Sequence, residues 1–354
     1  MPHDNIVADA ATRILQDYCD PQDVNRARDA SWQEPAWRAL EEAGLTVAWV
    51  GEDHGGAGAG LADGFAVLHE AGRFALALPL AETMLAGWLL ERAGISAPQG
   101  PMACAPARAG ELPVAGKDGR VSGRLRAVPF GKPARHLAVL ARREGGGHAV
   151  ALLDASAARV AAGTSIAGDP LDTVTLENAR PLELNTAPAG LDGDAVLLMG
   201  AVARSMQMAG ALERILDLAT TYAGERVAFE RPIAKFQAVQ QNLARLAGET
   251  AAAVAAAGSA ADAVATAHVP HEGTFLEAAA AKIRVGEAAG EGAAIAHQVL
   301  GAIGFTQEHV LHRFTRRLWA WRDDFGNETF WAVKLGKLVA ARGADELWPM
   351  LASR

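Results

Sequence analysis

The sequence predicts a mostly α-helical protein with a small β-domain between two helical regions. Apolar residues recur at helical spacing up to about residue 100, and alternating apolar runs separated by Gly, Asp and Pro fill about 101–185. From about residue 190 the chain is helical again and rich in alanine and glycine. We therefore expect an N-terminal helical domain (1–100), a middle antiparallel β-domain (101–187) and a C-terminal helical bundle (188–354).

The first hundred residues predict short amphipathic helices. "NIVADAATRILQDYC" (5–19) and "SWQEPAWRALEEAGL" (31–45) show the helical period, and Gly44 stands where a helix C-cap would. Helical spacing returns in "LADGFAVLHEAGRFALALPLAETMLAGWLLERAGI" (61–95), with an interruption at Pro79.

A glycine-rich loop follows a short apolar run in "TVAWVGEDHGGAGAG" (46–60). A dinucleotide fingerprint G-x-G-x-x-G does not fit any register, because Leu61 and Asp63 stand where its third glycine would be needed. We therefore do not predict a nucleotide-binding turn here.

The middle region predicts strands, and the last region predicts packed helices. The strand candidates are "RVSGRLRAVPFG" (120–131), "HLAVLARR" (136–143), "HAVALLD" (148–154) and "TVTLENA" (173–179). The alanine-rich runs at 248–267 and 277–304 favour helix and allow helices to approach closely. Half of the eight tryptophans, Trp319, Trp321, Trp331 and Trp348, lie in the last 36 residues, so we expect this end to be packed, also against another subunit.

Composition limits the classes of partner. The formal net charge is -8 and the pI is about 5.7, which argues against nucleic acid as the main partner, although "HRFTRRLWAWR" (312–322) could meet a phosphorylated small molecule. Cys19 and Cys104 form no disulfide framework and no zinc motif. The N-terminus lacks the features of a signal peptide, and no long apolar run is free of charge, so we expect a cytoplasmic protein that does not span a membrane.

A corner interrupts the helical pattern in "YAGERVAFERPIAKFQAVQQNLARL" (222–246). Apolar residues keep helical spacing on both sides, but Pro232 forbids one continuous helix. The corner presents Arg226 and Arg231 together with Phe229 and Phe236. Either this is a helical hairpin with solvated arginines, or a polar ligand is held at the corner.

Three stretches resemble the acyl-CoA dehydrogenases, a family of flavoproteins. "ERVAFERPIAKFQAVQQNLA" (225–244) resembles the family's E-R-x-x-F-G-x-P-I-x-x-F-Q-x-V-Q corner, and "EDHGGAGAGLADGFAVLHEAGR" (52–73) resembles its glycine-rich loop and following helix. "HQVLGAIGFTQEHVLHRFTRRLWAW" (297–321) resembles its Q-x-x-G-G-x-G-[FY]-x-x-E-[HY] segment. The resemblance spans nearly the whole chain, and it implies a C-terminal four-helix bundle and FAD as the cofactor.

The resemblance also implies roles for single residues. Arg226 matches the arginine that binds the FAD pyrophosphate, a role suited to a guanidinium because it can make two parallel hydrogen bonds. Phe229 matches the aromatic residue beside that arginine, and Arg231 has no counterpart and is expected to be solvated. The other predicted cofactor contacts, at an interface between subunits, are Phe236, Gln237, Gln298, Gly301 and Gly304.

Several positions depart from the family pattern. Glu230 stands at the glycine of the corner, and Ala302 replaces the second glycine of the G-G pair. The stretches T-E-P-x-x-G-S-D and W-I-T/S-N, which contact the flavin ring in the family, have no counterpart in the β-domain. We therefore expect the chain to hold the flavin ring poorly by itself.

The catalytic base is also missing from its usual place. The family's glutamate lies in a [YF]-E-G step, where this chain has Phe325 before Gly326, and the alternative position falls near Gly200. The nearest carboxylates are Asp324 and Asp323, which are our candidate catalytic residues. Aspartate is shorter than glutamate, and a misplacement of about 1 Å can cost about a hundredfold in rate. Both aspartates can equally be exposed loop or helix-start residues.

Two functions follow as expectations. The first is FAD-dependent α,β-dehydrogenation of an acyl-CoA thioester to the trans-2-enoyl-CoA, with an electron-transfer flavoprotein or similar acceptor, in a homo- or hetero-oligomer (dimer or tetramer). The second is a catalytically silent partner subunit that completes the FAD site of a heteromeric enzyme, since "VPFGKPARHLAVLA" (128–141) and the "FG" step resemble the family's shorter subunits. A different flavin chemistry, such as nitroalkane oxidation, is a weaker third.

Two histidine pairs have spacings seen in metal sites. They are His268 with His271 and His309 with His312, and no carboxylate or cysteine set completes either pair. We therefore predict no metal site.

Overall fold

A computed structural model gives the fold, and the structure describes residues 5–27, 29–107, 110–267 and 271–352. It confirms the predicted fold class: helices, then a sheet, then a helical bundle. His268 lies outside the described residues.

Five helices form the N-terminal region. They are α1 (Ile6–Cys19), α2 (Pro21–Arg26), α3 (Gln33–Glu42), α4 (Leu61–Arg73) and α5 (Leu80–Arg92). Asn5 caps α1 by accepting hydrogen bonds from the N–H groups of Val7 and Ala8. Gly44 has a φ of 70°, the left-handed conformation predicted for the end of α3, and α5 begins directly after Pro79.

The middle region is one sheet of eight strands. They are β1 (Met102–Cys104), β2 (Val114–Ala115), β3 (Val121–Pro129), β4 (His136–Arg143), β5 (His148–Asp154), β6 (Arg159–Ala161), β7 (Leu171–Ala179) and β8 (Glu183–Thr186). The order is β6-β7-β3-β2-β4-β5-β8, with β1 also paired to β4. Most pairs are antiparallel as predicted, but β1 and β2 each run parallel to β4, because long connections separate them from it in sequence.

The C-terminal region is the predicted four-helix bundle with added terminal helices. The bundle consists of α6 (Gly193–Glu225), α7 (Gln237–Thr266), α8 (Glu272–Leu300) and α9 (Leu311–Asp323), and α10 (Glu328–Arg342) and α11 (Leu347–Ala352) follow. A short hairpin of β9 (Val227–Ala228) and β10 (Arg231–Pro232) joins α6 to α7.

Two glycines let α4 and α6 touch through their backbones. A Cβ atom at Gly72 would lie 1.9 Å from the Gln207 carbonyl oxygen, and one at Gly210 would lie 2.0 Å from the His69 carbonyl oxygen. Any larger residue at either position would force the helices apart. The N-terminal region is therefore docked closely on the bundle.

Helix α6 is the only described helix that is long and apolar enough to cross a membrane, and 94% of its most apolar window is buried inside the protein. It is therefore a core helix. Trp321 and Trp331 are buried as well, which agrees with the predicted packing of the C-terminal end, whereas Trp348 on α11 is 76% exposed.

Candidate functional site

The predicted corner is a tight hairpin. Helix α6 ends at Glu225, Arg226 is its C-cap, and Ala228 pairs with Arg231 across the turn. The two central residues, Phe229 and Glu230, have φ values of 51° and 66°. Positive φ at both central positions defines a type I′ turn, which favours Gly or Asn over residues with larger side chains. The glycine missing from the family motif is thus replaced without loss of the turn, at the cost of local strain.

The corner exposes one cation and a pair of aromatic rings. Arg226 is exposed, and its guanidinium has no hydrogen bond or ion pair with the described part of the chain. Phe229 is 88% exposed, and its ring meets that of Phe236 edge to face with centroids 6.2 Å apart. Arg231 is exposed, as expected, and its guanidinium also lies 4.3 Å from the centre of the Phe236 ring. Arg226 is therefore free to bind an external anion.

The second predicted segment closes helix α8. Gln298 is exposed on the last turn, and the N–H of Gly301 donates to the His297 carbonyl with φ 63°. Gly304 is buried, and a Cβ there would lie 3.1 Å from Leu300. The position of Gly301 therefore favours glycine because of its positive φ, and a side chain at Gly304 would require Leu300 to shift.

His297 holds this loop in place. Its ring stacks on Phe305 at 4.5 Å, and its Nε2 lies 3.1 Å from Thr315 Oγ1. Burial lowers the pKa of His297 below its ordinary value, so the ring is neutral near pH 7. Sequence reasoning missed this residue, since nothing in the sequence distinguishes a stacked histidine from a surface one.

The corner and the loop lie at the same end of the bundle. Gly292 on α8 packs against Leu212 of α6 and Leu246 of α7. From this contact, α8 continues for 8 residues to the glycine loop, and α6 continues for 13 residues to the corner. Helix α7 begins at the corner, 9 residues before the contact, so both segments lie in the same direction. The structure thus brings all seven predicted cofactor residues to one end of the bundle. Their assignment to FAD stays a prediction, and the free guanidinium, the aromatic pair and the glycine loop fit the dinucleotide half of that cofactor.

The two positions considered for the base meet at the other end of the bundle. Phe325 is 5% exposed with φ 54°, and its ring covers Gly200 so closely that a Cβ at Gly200 would lie 2.2 Å from the ring. Its carbonyl accepts a hydrogen bond from Trp331 Nε1 at 3.1 Å. No carboxylate occupies either position, and the space that one would use holds the Phe325 ring.

The candidate aspartates have different environments. Asp324 is 15% exposed, and its Oδ2 accepts a hydrogen bond from Arg204 Nε at 3.0 Å. Asp323 is exposed at the end of α9. Asn327 is the N-cap of α10, and Glu328 in the first turn of that helix pairs with Arg322.

A buried charge cluster fills the region beside Phe325. Arg204 on α6 also pairs with Glu82 on α5 and donates to Gln207, and the side chains of Arg204 and Glu82 are each 4% exposed. Burial alone would lower the pKa of Arg204. The effect of the Glu82 and Asp324 carboxylates is larger, and the pKa of Arg204 therefore lies above its ordinary value. Burial raises the pKa of Glu82, and Arg204 offsets only part of that rise.

The sequence contained a signal for this cluster that we did not use. Glu82 is the only charged residue in the apolar run from Leu76 to Leu90, and Arg204 is the only one between Ala195 and Leu212. An isolated acid and an isolated base in two buried helices are expected to pair, because unpaired buried charges are costly.

Comparison with known proteins agrees with this architecture. The N-terminal domain model of acyl-CoA dehydrogenases matches residues 2–99, and the C-terminal domain model matches residues 194–322. Acyl-CoA dehydrogenase IpdE2 of Mycobacterium tuberculosis is 30% identical over 82% of this chain and 82% of its own length.

Two solved structures share the fold. The ChsE4-ChsE5 complex from Mycobacterium tuberculosis has a TM-score of 0.84 at 23% identity, covering 96% of this chain and 98% of that chain. A variant of the steroid acyl-CoA dehydrogenase Tcur3481-Tcur3483 has a TM-score of 0.81 at 25% identity, covering 95% and 97%. The chain belongs to the acyl-CoA dehydrogenase family, a family of oxidoreductases whose cofactor is FAD.

Proposed function

We propose that this chain serves FAD-dependent α,β-dehydrogenation of an acyl-CoA thioester, giving the trans-2-enoyl-CoA, as the subunit that completes a shared FAD site. A relative with an intact glutamate supplies the base. The observation that carries this proposal is the Phe325 ring packed on Gly200. A base must reach the α-carbon of the substrate, and this chain has a buried aromatic ring at the place where a carboxylate would do so.

The residues of this chain bind and orient the cofactor. The free guanidinium of Arg226 binds the pyrophosphate, and the aromatic pair and the Gly301–Gly304 loop lie beside the rest of the dinucleotide. When bound, FAD accepts the hydride that leaves the β-carbon of the substrate.

The exposed apolar residues at the same end support a shared site. Val227, Phe229 and Phe305 are 56%, 88% and 74% exposed. Exposed apolar residues next to polar binding groups are typical of a subunit interface. We therefore place the relative on this end of the bundle.

The relatives indicate the kind of assembly. Tcur3481-Tcur3483 is named with two components and as a steroid enzyme, which supports a hetero-oligomer and an acyl group attached to a steroid. We place the enzyme in the cytoplasm, with an electron-transfer flavoprotein or similar acceptor to reoxidise the cofactor.

The alternative is that this chain is a complete dehydrogenase with an aspartate as its base. Asp324 favours it, because it is the acid nearest to Phe325 in the chain and is largely buried. Asp324 is, however, held in an ion pair with Arg204 through its Oδ2, and Asp323 is exposed to solvent.

The test is the FAD content of the complex made by co-expressing this chain with a relative that has the glutamate. Arg226→Gln should weaken FAD retention about tenfold or more, because each tenfold corresponds to about 1.4 kcal/mol and a charge-assisted pair contributes that much. Arg180→Gln, an exposed arginine on the β-domain, is the matched control and should retain FAD. If Arg226→Gln retained FAD as well as the control, the shared-site proposal would be wrong.

The alternative is tested on this chain without the relative. A chain that binds FAD and dehydrogenates an acyl-CoA alone, and loses that activity as Asp324→Asn or Asp323→Asn, would have its own base. We expect no activity from the chain alone.

A further inference from the structure

A cavity of about 690 Å³ lies where the N-terminal helices meet the sheet and the loop before β7. Trp37 of α3, Leu78 and Pro79 before α5, and Phe130 after β3 form its apolar wall. Small-molecule sites in proteins have volumes of roughly 300–1,000 Å³. The cavity has the size and the wall to accept a hydrocarbon or a ring system.

The backbone at this wall is strained. Phe130 has a φ of 52°, is 9% exposed, and donates its N–H to the Pro170 carbonyl at 3.1 Å. A bulky aromatic residue in the left-handed region is costly, and such strain is concentrated at functional sites. Here this backbone conformation places Phe130 on the cavity wall.

The three carboxylates that line the cavity already have donors. Glu34 pairs with Arg38 at 3.4 Å, and Glu41 accepts from the Gly100 N–H at 2.8 Å. Asp169 accepts from Arg317 at 2.6 Å. The carboxylates that line the cavity are therefore engaged.

The donors around the cavity are free. Lys132 and Arg135 are exposed in the β3–β4 turn, and neither side chain forms a hydrogen bond or an ion pair within the described ranges. Trp37 is 8% exposed, and its Nε1 is buried without a partner among the residues that the structure describes. The lining carboxylates are engaged, whereas the Lys132, Arg135 and Trp37 donors are free. The ligand that complements this cavity is therefore an anion or another hydrogen-bond acceptor.

Further cations lie behind the loop that carries Asp169. Arg317 and Arg313 are neighbours on α9, and Asp169 pairs only with Arg317. Within the described part of the chain, the Nε atoms of both arginines and the Oγ of Ser165, in the same loop, are buried without a partner. Burial and the charge of Arg317 lower the pKa of Arg313 to about 10. Arg313 and Arg317 therefore add positive charge behind the loop that carries Asp169.

We propose that this cavity binds an amphiphilic anion, a molecule with an apolar body and one carboxylate or phosphate group. The body lies against Trp37, Leu78 and Phe130, and the anionic group binds Lys132 and Arg135. None of these residues belongs to the corner assigned to the dinucleotide half of FAD.

The test is calorimetric titration of the purified chain, without FAD, with decanoate, decyl phosphate and decanol, each kept in its monomeric form. We expect saturable binding of decanoate or decyl phosphate and at least about tenfold weaker binding of decanol, since only the first two have a charge for the free cations. The stronger of the two anions identifies the group that the site prefers.

Variants connect the binding to the named residues. Lys132→Gln combined with Arg135→Gln should weaken binding of the anion about tenfold or more, whereas Lys117→Gln, an exposed lysine in the β2–β3 turn, should leave it unchanged. Trp37→Phe keeps a ring but removes the unpaired N–H and should weaken binding to a smaller extent. Thermal unfolding of each variant shows whether it is folded.

Four results would overturn the proposal, and the first three concern the binding itself. They are equal binding of decanol and the anions, unchanged binding by the folded double variant, and no saturable binding of any of the three by the folded chain. Competition between FAD and the anion would also overturn it, because the cavity would then be part of the flavin site.

Discussion

Glu230 shows how a single residue can break a family motif and leave the structure intact. The sequence departs from the F-G step of the corner, yet the chain forms the type I′ turn that the glycine would favour. Sequence could predict the corner, because Pro232 and the helical spacing on both sides require it. It could not predict that the turn would survive, because the flanking helices and the strand pair determine that.

Glu230→Gly should stabilise the protein by about 1 kcal/mol, because glycine adopts a φ of 66° without the steric penalty of a Cβ. Glu230→Ala has the same penalty as glutamate and should show no such gain. The measurement is the free energy of unfolding in urea. Equal effects of the two substitutions would show that the turn is not strained.

Gly200→Ala should destabilise the protein by about 1–3 kcal/mol, because the added Cβ would lie 2.2 Å from the Phe325 ring. Gly248→Ala is the matched control on exposed helix α7, where a Cβ meets nothing, and should stabilise by about 0.5–1 kcal/mol. Adding Phe325→Ala to Gly200→Ala should remove the clash. A neutral effect of Gly200→Ala would mean that the ring does not cover Gly200 in solution.

At the scale of elements, helices α5, α6 and α8 each bury one charged side chain near the end of α9. Glu82 and Arg204 pair with each other, and Lys282 of α8 donates to the carbonyls of Trp321 at 3.2 Å and Arg322 at 2.6 Å. Lys282 therefore donates hydrogen bonds to backbone carbonyls in the last turn of α9, which have no donor within their own helix. The helices themselves were predictable from their period, but these contacts link residues up to 122 positions apart and depend on tertiary packing.

The buried Lys282 should make stability depend on pH. Burial lowers its pKa from 10.5 to about 8, although the carboxylates of Asp324 and Glu328 oppose this shift. Between about pH 8 and 10.5 the unfolded chain binds a proton that the folded chain has lost, so the contribution of this lysine to stability rises with pH in that window.

The measurement is the difference in unfolding free energy between the wild type and Lys282→Met across this window. Burial raises the pKa values of Cys19 and Cys104 to about 12, so these two thiols make stability fall as pH rises. The subtraction removes this opposite pH dependence, because both proteins contain the two cysteines. We expect the difference to grow in favour of the wild type as pH rises from 8 to 10.5. A constant difference would mean that Lys282 titrates at its ordinary pKa in the folded protein.

At the scale of the whole molecule, the two ends of the bundle differ in what they expose and what they bury. One end presents Arg226, Phe229 and the Gly301–Gly304 loop on its surface, and the other end encloses Phe325 and Arg204. The order of the three regions, the corner and the glycine loop could be predicted from sequence, because they are local patterns. The absence of the glutamate could be seen in the sequence. The contact of the Phe325 ring with Gly200 could not, because it joins two residues that are far apart in the sequence.

Phe229→Asp and Phe305→Asp should weaken assembly with the relative and leave the melting temperature of the isolated chain almost unchanged, because both rings are largely exposed. Ile166→Asp, at 57% exposed on the β-domain, is the control and should assemble normally. Analytical ultracentrifugation of mixtures measures the effect. Assembly that is insensitive to both phenylalanine substitutions would place the interface elsewhere.

The most direct test of the central claim is the visible flavin absorbance of three samples, this chain, its glutamate-containing relative and their mixture, before and after addition of an acyl-CoA. We predict that this chain alone shows no flavin absorbance that bleaches, and that the mixture retains a flavin that the acyl-CoA bleaches. A flavin bound by this chain alone and bleached by the acyl-CoA would contradict the account, because the chain would then hold its own cofactor and its own base.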